Sequence, residues 1–222
     1  MSESPATRPT SPDALRVGHV PGVTLTKWRT RWDERLAARL DVVEVTEADQ
    51  RRVLVDDAVD LCFVRLPIDR EGLHAIPLYD EVTVAWVSKD HPVAAYDEVT
   101  LADLADETLL TDLDAVAIDR VNAGAVLLVP MSVARSASRR DLVHRPVTDA
   151  EPTSISLAWR TDNEHPLIDE FIGIVRGRTA NSSRTQAERA ASTPKPKPQR
   201  LSSPGKRPGN APRPPKVRKK RR

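Results

Sequence analysis

Leu78-Tyr-Asp-Glu-Val-Thr-Val-Ala-Trp-Val-Ser-Lys-Asp-His-Pro-Val-Ala-Ala-Tyr-Asp-Glu-Val-Thr-Leu-Ala-Asp-Leu-Ala-Asp-Glu-Thr-Leu-Leu110 is the stretch whose reading decides the fold. Val82 to Val87 reads as a strand, and the polar run around His91-Pro92 reads as a crossing. Leu101 to Leu104 is a helical turn, and Thr108 to Leu110 a short strand. The stretch therefore reads as a strand leaving one lobe and the start of a second lobe.

Upstream, Leu15 to Val20 is a short strand broken by Pro21-Gly22, and Thr24 opens a helix. Leu25, Trp28, Trp32, Leu36 and Leu40 recur at spacings of three and four and give that helix one apolar stripe. Asp41 to Val45 is the second strand. Thr46-Glu-Ala-Asp49 has capping-box form and starts a second helix. Leu61-Cys-Phe-Val64 is a continuous apolar run, as expected of a strand covered on both faces. This β-α-β-α-β order predicts a parallel sheet flanked by helices, with Leu73 to Leu78 as an edge strand.

Downstream, Ala115 to Ala123 reads as a helix ended by Gly124. Val126 to Val129 is a buried strand, and Ser132 to Ser138 a short polar helix. Leu142 to Val147 and Ser154 to Trp159 are strands, the second returning to the first lobe. The last helix has Pro166 in its first turn, a buried face from Leu167 to Val175, and Gly177 just past its end.

Charge divides the chain. From Arg176 to Arg222 there are 16 Lys and Arg against one acid, Glu188, which leaves 18 bases and 31 acids in the rest. A net charge of +2 thus combines an acidic body with a basic tail. Eight prolines between Pro194 and Pro215 argue against helix or sheet, so residues 179–222 are expected to be disordered, as are residues 1–14. One cysteine, Cys62, excludes an internal disulfide, and its apolar neighbours make it a buried strand thiol. No apolar run is long enough for a membrane span, and the first 14 residues contain no hydrophobic stretch of signal-peptide type. The expectation is a soluble, cytoplasmic protein without membrane contact.

Six fragments carry a family resemblance. They are Asp60-Leu61; Gly72-Leu73 with Pro77-Leu78; His91-Pro92 with Val99-Thr-Leu-Ala-Asp-Leu104; Val121-Asn-Ala-Gly124; Leu128-Val-Pro130; and Ala158-Trp-Arg160 with Pro166 and Phe171. In this order, from about Leu15 to Val175, the chain resembles the effector-binding domain of LysR-type transcriptional regulators. The resemblance implies an α/β, two-lobed periplasmic-binding-protein-like (type 2) domain, with lobe one at 15–86 and 155–178 and lobe two at 87–154. It also implies a truncated second lobe, because a segment expected after Leu110 is missing. The residues before Leu15 leave no room for the winged helix-turn-helix of that family. Pairing of two such domains, or with a full-length regulator, is a further implication.

In an open parallel sheet, ligands bind beyond the carboxyl ends of the strands. Three such ends supply candidates: Gly22, Val23 and Thr24 after the first strand, Thr46 after the second, and Arg65, Leu66 and Pro67 after the third. Helix-start N–H groups, hydroxyls and a bidentate Arg65 suit a small anionic metabolite. The plainer readings are helix capping for Thr24 and Thr46, and for Arg65 an ion pair with Asp69 or Asp112. Ser88, Thr111 and Met131 are placed by position on the opposing wall. Five scattered histidines and the absence of a phosphate loop or an activated nucleophile give no enzyme, metal or cofactor constellation. Lys206, Arg207, Arg213, Lys216, Arg218, Lys219, Lys220, Arg221 and Arg222 could neutralise phosphates without sequence preference, giving a nucleic-acid-binding alternative in which the folded body serves as a dimerisation platform.

Overall fold

The computed structural model describes residues 13–177, so every expectation about residues 1–12 and 178–222, including the basic tail, lies outside the described residues. The described chain forms two sheets. The first has strand order β2-β1-β3-β9-β4, from β1 (Ala14–His19), β2 (Arg39–Glu44), β3 (Leu61–Arg65), β4 (Leu73–Glu81) and β9 (Thr153–Arg160). The second has order β6-β7-β5-β8, from β5 (Thr83–Ser88), β6 (Leu109–Leu110), β7 (Val126–Pro130) and β8 (Leu142–Pro146). β1, β2 and β3 are parallel, as the β-α-β-α-β reading requires, and β9 joins antiparallel between β3 and the edge strand β4.

Alternation along β3 explains how the first sheet is covered on both faces. Leu61 and Phe63 pack with Leu15, Val17 and Leu157 beneath α1 (Thr26–Arg35) and α5 (Ile168–Val175). Trp28 stacks on Phe63 with ring centroids 4.7 Å apart, and Trp32 meets Phe171 edge-on at 5.8 Å, so both tryptophans serve the core. Cys62 and Val64 face the other way, with Leu54, Leu73 and Ala158. A guanidinium clamp ties β1 to the start of β3. Arg16 holds the buried Asp60 through Nη2 at 2.6 Å and Nε at 3.2 Å, and Asp60 also accepts the Arg16 backbone N–H at 2.7 Å.

Three expectations are corrected. β5 pairs with β7 and β8, so residues 83–86 belong to the second lobe, and the chain crosses at Val82 and again between Pro146 and Thr153. The strand ladder decides this, because β5 finds its hydrogen-bond partners only there among the described residues. α1 ends at Arg35, and Leu36 is extended. Leu40 sits in β2 because the parallel ladder to β1 takes over from Arg39. The helix expected from Thr46 is reduced to α2 (Arg52–Val55), preceded by turns. In those turns the buried Gln50 side chain leaves the helical path. Its Nε2 donates to the Arg65 carbonyl at 3.0 Å and its Oε1 accepts the Arg65 N–H at 2.8 Å, satisfying the end of β3 as a neighbouring strand would.

The stretch around His91-Pro92, read from the sequence as a crossing, lies within the second lobe and forms a pair of caps. The His91 Nδ1 accepts the Val93 N–H at 3.2 Å, and Thr100 and Asp103 exchange capping bonds at 2.7 to 3.3 Å. The second sheet is covered by α3 (Ala117–Asn122) and α4 (Met131–Ser136) on one face and by the two 3₁₀ turns Pro92–Ala95 and Ala102–Leu104 on the other. The shortness of this lobe shows at its edge: β6 has two residues, and Leu109, Leu113 and Val116 remain exposed. Gly124 and Gly177 each follow a helix with positive φ, as expected of C′ glycines.

Candidate functional site

The carboxyl ends of the three parallel strands open onto a cavity of about 420 Å³ between the two lobes. Pro21, Thr46, Glu47 and Arg65 line it from the first lobe. Thr111 to Asp114, Leu128 to Pro130 and Val133 line it from the second, and Thr83 and Thr153 sit where the chain crosses. The volume suits a small molecule. One end is closed by a direct lobe-to-lobe approach. Gly22, at φ +90°, lies so near α4 that a Cβ there would come within 2.4 Å of the Ser132 Oγ and 2.9 Å of the Val133 N.

Arg65 is the central group of the first wall. It is only 3% exposed, and its guanidinium is taken up within the protein. Nη2 and Nε donate to Glu81 Oε2 at 2.8 and 3.3 Å, Nη1 pairs closely with Glu47, and Nη2 also donates to the Pro21 carbonyl at 3.1 Å. Glu81 is itself buried, so the pair is a desolvated ion pair whose partners need each other. The free bidentate grip on an anion expected of Arg65 is therefore corrected. Two carboxylates already occupy the fork, and they are Glu81 and Glu47 rather than Asp69 or Asp112. Asp69 pairs with Arg51 instead.

The remaining sequence candidates divide. Thr46 lines the cavity, but its hydroxyl donates to Asp49 Oδ2 at 2.9 Å and accepts the Asp49 N–H at 3.2 Å, which is the capping role. Gly22 and Thr24 line an adjoining hollow with Met131, Ser132 and Arg135. Thr24 is no helix cap, since α1 begins two residues later without a side-chain cap. Val23 is buried in the core, its N–H donates to Val20 O at 3.3 Å, and it lies outside the cavity. Leu66 and Pro67, joined by a cis peptide bond, lie outside the cavity, with Leu66 packed against Cys62 and its neighbours. Thr111 is on the opposing wall as expected and Met131 in the adjoining hollow. Ser88 is at neither, its hydroxyl accepting the Asp90 N–H at 3.4 Å.

Sequence reasoning missed Glu47, Glu81, Asp114 and Thr153, and named Asp112 only as a possible partner of Arg65. Glu47 directly follows a recognised strand-end candidate, and Glu81 lies within the opening stretch, so both were within reach. Asp112 and Asp114 needed the second wall to be placed first. Tyr79, beside the adjoining hollow, has its phenol pushed up to about 12 by burial and by Glu81, so it stays a neutral hydrogen-bonding group.

Residues 24–121 match the LysR substrate binding domain. Over that stretch the chain is similar to LysR substrate-binding domains. Its fold is that of solved relatives at low identity. The BenM effector binding domain with its effector benzoate is 21% identical with a TM-score of 0.60, covering 82% of this chain and 95% of that one. Full-length CbnR complexed with its target DNA is 18% identical with a TM-score of 0.61, covering 73% and 70%. A mutant OxyR of Corynebacterium glutamicum with hydrogen peroxide bound is 23% identical with a TM-score of 0.59, covering 81% and 71%. No curated protein matches in sequence. The LysR substrate-binding family is one of effector-binding regulatory domains rather than of enzymes. No helix among the described residues is long and apolar enough to cross a membrane.

Proposed function

We propose that this LysR-like domain is a regulatory sensor that binds a small-molecule effector between its lobes and performs no chemistry on it. The observation that carries the reading is the cavity itself. It lies at the carboxyl ends of β1, β2 and β3, it is walled by both lobes, and the chain passes between those lobes at Val82 and between Pro146 and Thr153. A ligand touching both walls favours one lobe arrangement over others, which is how binding becomes a signal. A cytoplasmic location and pairing with a second copy or with a full-length LysR-type regulator accompany this reading. The anionic effector suggested by the sequence would have to compete with Glu47 and Glu81 for Arg65.

The test is a thermal-shift screen of a small-metabolite panel on the full chain and on Thr111→Trp, which fills the cleft from the second wall. At least one compound raises the Tm of the wild type and not of the variant. Shifts retained in the variant, or no shift at all, count against the cleft as an effector site.

The charge split of the sequence supports a second activity beside the first: contact of the basic tail with nucleic acid. DNA affinity measured against salt should show a shallower slope once Arg218, Lys219, Lys220, Arg221 and Arg222 are changed to Gln. An unchanged slope removes the idea.

A further inference from the structure

Four ionisable side chains line the cavity, and three of them are acids: Glu47, Asp112 and Asp114 against Arg65. Arg65 is fully engaged by Glu47 and by Glu81 behind it, so that trio carries one net negative charge. Asp112 and Asp114 form no ion pair among the described residues. Asp112 accepts the Thr111 hydroxyl at 3.4 Å, and Asp114 Oδ1 accepts the Val116 N–H at 3.0 Å. A carboxylate entering this cleft meets three acids and no unpaired base. A cation meets two carboxylates that have room for further donors. Beside them, Leu128, Val129, Pro130 and Val133 form an apolar wall, and the buried Thr153 Oγ1 has no hydrogen-bond partner and can accept an N–H.

We propose that the cleft selects a small organic cation: a protonated amine or guanidinium on a short apolar body, its charged end held by Asp112 and Asp114 and its body against the Leu128–Val133 wall. This rests on the cleft being the effector site. The second lobe thereby sets the sign of the ligand, while the first lobe, with its charges mutually satisfied, sets the shape of the site.

The test is calorimetry on the full chain with butylamine, phenethylamine and agmatine. Each is paired with a carboxylate of matching length, and 3-phenylpropanamide serves as the neutral control. Only binding lost in Thr111→Trp counts as binding in the cleft. The expected result is that an amine binds there more tightly than its carboxylate and amide counterparts. D112N/D114N should then weaken it about tenfold or more, since charge-assisted hydrogen bonds are lost. Asn keeps an Oδ1 that can accept the Val116 N–H, as Asp114 does at 3.0 Å, so folding is not the variable. Cleft binding led by a carboxylate or by the amide, or an amine affinity unchanged in D112N/D114N, overturns the cation proposal and leaves the effector reading standing. No cleft binding by any member of the panel counts against both.

Discussion

In the first lobe the cleft wall is anchored by buried groups that satisfy one another, Arg65 with Glu81 and Gln50 with the Arg65 backbone, and the exposed Glu47 pairs with Arg65 from the rim. In the second lobe the facing wall presents Asp112 and Asp114, both exposed and without ion pairs among the described residues. Burial makes the first wall expensive to alter, because removing one partner strands a charge away from water. Exposure makes the second wall cheap to alter and leaves its charge available to a ligand. One wall is therefore the scaffold of the site and the other its selective face.

Stability measurements can break that comparison. Arg65→Ala should cost about 3–5 kcal/mol in urea unfolding, because Glu81 is left buried and unpaired. Asp112→Asn should stay within about 0.5 kcal/mol, as ordinary surface changes do. Equal costs would mean that the two walls do not differ as described. A smaller effect is expected where the lobes touch. Gly22→Ala combines a positive φ with a clash against Ser132 and Val133, and should cost about 1–3 kcal/mol. Gly72→Ala, with φ +72° and open space around it, carries only the backbone strain and should cost less. Thermal unfolding of the two variants separates contact from strain.

The remaining contrasts are chemical. Burial pushes the Cys62 thiol in the first lobe up to about 12, so the native protein should resist thiol reagents at pH 8, while the unfolded chain reacts at once. In the second lobe His144 is held below its ordinary value by burial and then by Arg135 and Arg145. Its folded form binds the proton less readily than its unfolded form. Its contribution is therefore fully present above the unfolded value of about 6.5 and is lost as pH falls below it. His144→Gln should flatten the stability profile slightly between pH 7 and pH 5, and an unchanged profile would refute this.

Much of the fold is legible in the sequence because it rests on local pattern. Leu61 to Val64 reads as a strand covered on both faces, and Gly124 and Gly177 mark helix ends through chemistry that acts within a few residues. The sequence misleads where distant partners decide. α2 is short, and Gln50 just before it turns inward to hold Arg65, fifteen residues away. Val82 to Val87 reads correctly as a strand but carries no mark of which sheet pairs with it, so its lobe is settled only by β7 and β8. The site follows the same rule. The strand-end principle locates the cavity, while the use of Arg65 depends on Glu47 and Glu81, which lie 18 and 16 residues away along the chain.

Where a ligand touches the protein is the most direct test of a cleft shared by two lobes. Backbone amide shifts of the full chain, recorded by NMR while titrating the compound that binds most tightly, locate that contact. The shifts should cluster at Thr46 and Arg65 on one wall, at Thr111 to Asp114 on the other, and at Thr153 between them. Shifts confined to one lobe's outer face, or to residues 178–222, would contradict a binding cleft between the lobes.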